Sequence, residues 1–296
     1  MASPALRHWA LLFYLVIFWG FAFGLIAIGL EGFHPVTVVW ARLGLGAVVM
    51  WVVFLFRSGQ LPGQSIWLWR MAALSMLGNL LPFSLIAWAE QSVPSGEAGM
   101  LMALMPITTL IMGHYFLSHE KLTVPRVLGV VLGLAGVSLI LGDDLWQTGS
   151  PERLWGQLAI LVATIAYAAN GIYTKRLPAI DPVTVTAGSL TVGTVLLTPW
   201  MLYFQGPVEI GSHLEAVGAV FLLGVFATGV ATWVYFIVVL EVGPGFLSTI
   251  NYLIPGMALL FGIVVLAEPA GLLQLAALAL ILLGVWLIQP RTGAVE

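Results

Sequence analysis

Ten apolar runs, each close to 20 residues long, follow one another along this 296-residue chain: 9–30, 36–56, 67–89, 96–117, 124–142, 155–175, 183–204, 214–239, 245–266 and 271–289. A helix needs about 20 apolar residues to cross the hydrocarbon of a bilayer at about 1.5 Å per residue. Inside lipid every backbone polar group must find its partner within the protein, so only helices and closed barrels span it. These runs are too long and continuous for barrel strands. The breaks carry turn chemistry, as in "RSGQLPGQ", "SVPSG", "GDDLWQTGSPER" and "EVGPG". The third and eighth runs are the least well defined as spans. Only 8% of residues are charged, against about 25% in soluble domains, so a soluble core could not be clothed. The expectation is an all-α integral membrane protein of ten helices. The first run has one Arg before it and is too long for a signal-peptide core, so it reads as a retained span.

Lys and Arg set the orientation. With the N-terminus in the cytoplasm, Arg7, Arg57, Arg70, Lys121, Arg126, Lys175, Arg176 and Arg291 all fall inside. Only Arg153 falls outside, and Arg42 lies within a span. Nine acids, among them Glu31, Glu90, Glu97, Glu152, Glu215 and Glu268, gather at the outer face. Losing or adding one span would destroy this segregation, so charge supports ten spans independently of hydropathy. Both termini are expected in the cytoplasm.

A repeat runs through the chain. "HPVTV" (34–38) and "DPVTV" (181–185) each open an apolar run. "LMPITTLIMGHYFLSHE" (104–120) is similar to "LIPGMALLFGIVVLAE" (253–268), pairing Pro106 with Pro255, Gly113 with Gly262 and Glu120 with Glu268. "GVVLGLAGVSLI" (129–140) is similar to "AALALILLGVWLI" (276–288), pairing Gly136 with Gly284. The halves are 1–145 and 150–296, with five spans each. Five is odd, so the second half is expected upside down relative to the first. In secondary transporters such inverted repeats flank a binding site near the midplane. The other reading is a duplication that now serves only as scaffold.

These motifs carry a resemblance. "FWGFAFG" in the first span, Arg42 in the second, and a skeleton of Pro106, Glu120, Gly129 and Gly136 matched by Pro255, Glu268 and Gly284 resemble the EamA family of the drug/metabolite transporter superfamily. Within it the chain is most similar to the YddG-type exporters of aromatic and other neutral amino acids. The resemblance implies a ten-helix carrier of the bacterial inner membrane, with a central cavity lined by spans one, three, four, six, eight and nine. The skeleton residues identify fold better than substrate, and Glu120 and Glu268 read as structural charges.

Arg42 lies within about two turns of the outer surface. An intramembrane Arg invites a functional reading, such as holding a substrate carboxylate. Pairing with Glu31 or another outer acid is favoured, because span two is not expected to line the cavity. Asn79, Asn170 and Asn251 fall in spans three, six and nine. An amide offers donors and acceptors to a zwitterion without changing protonation, or it serves as interhelical glue. Tyr167, Ser248 and Tyr252 lie near them. Trp19 and Trp88 could present aromatic faces to apolar or ammonium groups, or simply pack. Met100 could form an adaptable wall. These nine residues are the candidate substrate contacts. Pro82, Gly99, Pro106, Gly245 and Pro255 interrupt spans three, four and nine and are the candidate hinges.

Other chemistry is not visible. The chain has no cysteine, its five histidines are dispersed, and no H-E-x-x-H, G-x-S-x-G or P-loop motif occurs. No metal, cofactor or nucleic acid is expected; the partners are a small-molecule substrate and the bilayer, with the chain a monomer or weak homodimer. The reading is therefore an exporter of small neutral metabolites, aromatic and other hydrophobic amino acids foremost, and not an enzyme. The alternatives are a carrier of drug cations or sugar derivatives, or an intramembrane lipid-modifying enzyme. With no acid at a span centre, facilitated diffusion is expected, Glu97 being the one exception that could couple protons.

Overall fold

A computed structural model describes residues 5–57, 66–117, 122–146, 150–178, 181–205 and 214–289. Fourteen α-helices occupy them: α1 (Leu6–Leu30), α2 (Pro35–Phe56), α3 (Ile66–Ser75), α4 (Leu81–Ala89), α5 (Ser95–Met102), α6 (Met105–Phe116), α7 (Val124–Trp146), α8 (Pro151–Lys175), α9 (Pro182–Gln205), α10 (Leu214–Gly224), α11 (Ala231–Glu241), α12 (Pro244–Leu247), α13 (Ile250–Val264) and α14 (Leu272–Ile288). Among the described residues there is no strand. Alone or joined in line, these make nine helices long and apolar enough to cross a membrane; the tenth predicted span is a 17-residue apolar helix, α14. Glu120, one of the two predicted structural acids, lies outside the described residues.

The repeated phrase has a local cause. His34 is the N-cap of α2, its Nδ1 accepting the Val36 N–H at 3.3 Å, with Pro35 opening the helix. Asp181 plays the same part for α9, its Oδ2 accepting from the Thr184 N–H at 2.9 Å and hydroxyl at 3.0 Å, before Pro182. A cap satisfies donors that the first turn leaves free, and Pro at the first position lacks the donor that would be wasted there.

Four of the runs are interrupted mid-span, two of them by π-turns. Span three passes through a π-turn at Met76–Leu80 between α3 and α4. Span eight does the same at Val225–Val230 between α10 and α11. Span four breaks at Ala103–Leu104, directly before Pro106 at the start of α6. Span nine breaks at Ser248–Thr249, ahead of Pro255, which lies inside α13. Pro82 sits just after its π-turn, so the interruption begins upstream of the proline. Gly99 is a packing residue: a Cβ there would lie 2.3 Å from the Ala258 Cβ.

Packing follows the repeat. α2 lies along α9 and α7 along α14, each a helix against its counterpart from the other half. α1 packs on α13, and α8 on α6. Glycines let α7 and α14 approach: a Cβ on Gly129 would sit 2.6 Å from the Gly284 carbonyl oxygen, and one on Gly284 2.5 Å from that of Gly129. Close backbone approach of this kind is how helices associate in lipid, where burial of apolar surface gives no drive.

Candidate functional site

Each π-turn faces a helix of the other half. At the first, a Cβ on Gly78 would lie 2.7 Å from the Asn170 Nδ2 of α8, and Asn79 Nδ2 donates to Ser189 Oγ of α9 at 3.4 Å. At the second, Trp19 Nε1 of α1 donates to the Ala227 carbonyl at 3.0 Å, and Tyr14 Oη donates to that of Phe226 at 3.0 Å. A π-turn adds a residue without adding an in-register bond and leaves backbone groups for other partners. Here the opposite half supplies two of those partners.

Arg42 belongs to this arrangement. Its Nε donates to Thr228 Oγ1 in the second π-turn at 2.9 Å, and Thr228 in turn donates to the Leu223 carbonyl at 2.9 Å. The guanidinium carbon sits 3.6 Å from the centre of the Phe83 ring. Of the expected outer acids, Glu90 rather than Glu31 lies within the electrostatic reach of the buried Arg42, whose direct contacts are a hydroxyl and an aromatic face. Arg42 and Ser189 stand at the same distance from Pro35 and Pro182, and both reach the π-turn of the opposite half. The shared phrase held that signal, but a Ser and an Arg do not look alike in sequence. Thr228→Val keeps the shape and removes the acceptor. It is expected to destabilise the fold by about 1–3 kcal/mol, the cost of stranding a buried charged donor, read as a lower melting point in detergent.

The predicted substrate contacts separate into groups. Asn79, Tyr167 and Asn170 gather near the first π-turn, with Tyr167 6.5 Å from Phe83. Trp19 lies at the second π-turn, 5.9 Å from Tyr235. Ser248, Asn251 and Tyr252 lie at the break of span nine, where Ser248 Oγ donates to the Gly245 carbonyl at 2.7 Å and Tyr252 Oη is buried without a hydrogen-bond partner. Met100 is wholly buried in the core and Trp88 is 47% exposed, so neither stands with the others.

The two ends of the molecule differ. At one end Glu97 is buried and accepts from Gln157 Nε2 at 2.7 Å and from Arg153, joining α5 to α8. Beside it, the Glu268 carboxylate takes the Ser95 and Gly96 N–H groups at 2.7 and 2.9 Å, capping α5 from the loop behind α13. Gly262 makes room, since a Cβ there would fall 2.2 Å from Glu268 Oε2. Glu97 is thus engaged by two side chains of α8.

Glu90, one of the acids the sequence assigns to the outer face, closes α4 at the same end. Its side chain is buried, and neither carboxyl oxygen has a hydrogen-bond partner. Burial holds its carboxyl well above the ordinary carboxylate range; Glu268 adds to this and Arg42 opposes it.

At the other end the described residues make further ties. Arg7 and His8 of α1 meet Glu241 of α11, the His8 contact at 3.0 Å, and Trp9 meets Phe246 edge-on at 4.9 Å. Across the way, Arg176 donates to the Phe116 carbonyl at 2.7 Å, joining α8 to α6. α8 packs more on α4 than on α3, and α1 more on α10 than on α11. In spans three and eight, the half nearer Glu97 is therefore the more closely packed on the other half.

Comparison with known proteins gives a consistent result. The model of the EamA-like transporter family matches twice in tandem, over residues 8–142 and 154–289. A protein of Archaeoglobus fulgidus named uncharacterized transporter is 27% identical over 97% of this chain and 100% of its own length. The Escherichia coli protein named uncharacterized inner membrane transporter YedA is 29% identical over 94% of this chain and 89% of its own. A Streptantibioticus cattleyicolor protein named probable terminal-alkyne amino-acid exporter is 28% identical over 96% and 93%. One solved crystal structure shares the fold, with a TM-score of 0.67, 20% identity and 96% coverage of both chains.

Proposed function

The chain belongs to the EamA-like transporter family, and from that premise we propose that it exports small, net-neutral, partly hydrophobic metabolites, aromatic and other hydrophobic amino acids foremost, across a bacterial inner membrane by alternating access. The carrying observation is the crossed arrangement of the two π-turns, each seated against a helix of the other half. Interrupted helices in corresponding positions of two halves mark the path in secondary transporters. The ten helices then form two inverted repeats, with both termini in the cytoplasm. The end that holds Glu97 and Glu268 faces outward and is shut. The end that holds Glu241 faces the cytoplasm. The relative named probable terminal-alkyne amino-acid exporter supports the substrate class.

A sugar-phosphate would need a cluster of central cations, and the described spans offer Arg42 alone at depth. A drug cation would find Glu90, but with the positive charge of Arg42 within its electrostatic reach. A zwitterion matches amide groups and a single guanidinium better than either.

The test is a panel of labelled amino acids offered to liposomes containing the pure protein. Saturable counterflow of one or more aromatic or branched amino acids is expected, and no movement of any would overturn the reading. Asn170→Ala and Asn251→Ala are each expected to slow that counterflow about tenfold, the loss of one hydrogen bond to a charged group. Normal rates in both variants would assign these amides to helix packing.

A further inference from the structure

We propose that Glu90 is a proton-binding site that links closure of the Glu97 end to uptake of one proton. The inference rests on the alternating-access reading above. Glu90 stands one residue beyond α4, where the chain turns toward α5, and it is buried with both carboxyl oxygens unpartnered. An ionised carboxylate in that place would lack every compensating donor, so the buried state selects the neutral acid.

The surroundings bear this out element by element. α4 packs on α8, α2, the π-turn at Met76–Leu80 and α1. α2 brings Arg42, whose charge acts on Glu90 but whose Nε is committed to Thr228. α8 brings Tyr167, on which Arg42 also acts, and Arg153, engaged by Glu97. The π-turn has no ionisable side chain, and α1 has none between Tyr14 and its end. Behind α13, Glu268 adds a second acid to the same end. One guanidinium thus faces two carboxyl groups at Glu90, while Glu268 already holds the α5 N-terminus.

Opening this end separates α5 from α13 and admits water to the turn after α4. Hydrated, Glu90 returns toward an ordinary carboxylate. The shut state therefore binds a proton that the open state releases. Its advantage is full at low pH and fades as pH rises through the raised value of the shut state. Facilitated diffusion, expected from sequence, is replaced by a cycle in which one conformational step takes up a proton.

The natural chain has no cysteine, so a single introduced one reports alone. Leu259 on α13 is buried, with its Cα 3.2 Å from where a Cβ on Gly96 would lie. In purified Leu259→Cys protein, maleimide labelling is measured relative to the exposed Ala270→Cys, which removes the pH dependence of the thiol itself. Relative labelling is expected to rise at least about tenfold from about pH 5.5 to about pH 8.5. Adding Glu90→Gln, a permanently neutral copy, is expected to hold labelling low throughout, while Glu90→Asp keeps the rise. A misfolded Gln variant would instead label fast at every pH, and the unfolded fraction is then removed by gel filtration before the comparison. Equal labelling at both pH values in Leu259→Cys, or a pH rise that survives Glu90→Gln, overturns the proton link. No labelling at any pH overturns the opening of this end, and alternating access with it.

Discussion

Glu268→Gln is expected to open the end that holds Glu97. The carboxylate of Glu268 accepts two backbone N–H groups at the start of α5, and so joins the start of span four to the loop that follows α13. An amide can accept only with its single oxygen and turns its NH2 toward the second donor. Hydrogen bonds to charged groups contribute about 1.5–3 kcal/mol each, so the substitution costs the shut state about 2 kcal/mol. That shifts the open-to-shut ratio about thirtyfold. Labelling of Leu259→Cys is expected to rise by that factor in the double variant, at a pH where Glu90 is neutral. Unchanged labelling would mean that Glu268 only caps a helix and does not latch the end. The preceding residue adds weight to this. Ala267 has φ of 54°, a left-handed conformation that non-glycine residues rarely adopt. The turn is held there by the carboxylate it delivers.

Gly129→Leu is expected to cost about 3 kcal/mol, the upper part of the usual range for overpacking. Its new side chain would meet the Gly284 carbonyl oxygen and the Ile288 and Leu287 side chains within 3.0 Å. Backbone cannot swing aside as a flexible side chain can, so α7 and α14 must part along their length. The measurement is thermal unfolding in detergent, with the loss of monodisperse protein as a second reading. Gly171→Leu, where a Cβ meets nothing within 4 Å, is the matched control and should leave stability unchanged. Equal melting of the two would show that the pair tolerates a wider spacing.

Much of this architecture is written in short-range signals. Run length and turn residues give nine of the ten spans, and His34–Pro35 and Asp181–Pro182 announce two helix starts by capping chemistry. Pro106 announces the break in span four. The π-turns were not legible. They depend on which helix lies opposite, and span eight bends without a proline at all. Thr228 in that span is an ordinary apolar-run threonine until Arg42 is set against it. Glu90 was legible as a residue near a span end but not as an orphan, because burial is a property of the packed molecule. Of the acids at that end, Glu97 looked the more suggestive, and the packing engages it with Arg153 and Gln157.

The crossed seating of the π-turns bears on biosynthesis. The first half leaves the ribosome with Gly78 and Asn79 facing a place that α8 and α9 will fill only after the second half is made. Until then span three lacks the second-half neighbours that seat its bend, so the first half waits in the membrane as an unfinished shell. The second half is in the same position without Arg42 and Trp19. Neither half is a self-sufficient folding unit, yet each holds what the other lacks. Two separate chains cut within the connecting segment should therefore reassemble when made together and be degraded when made apart.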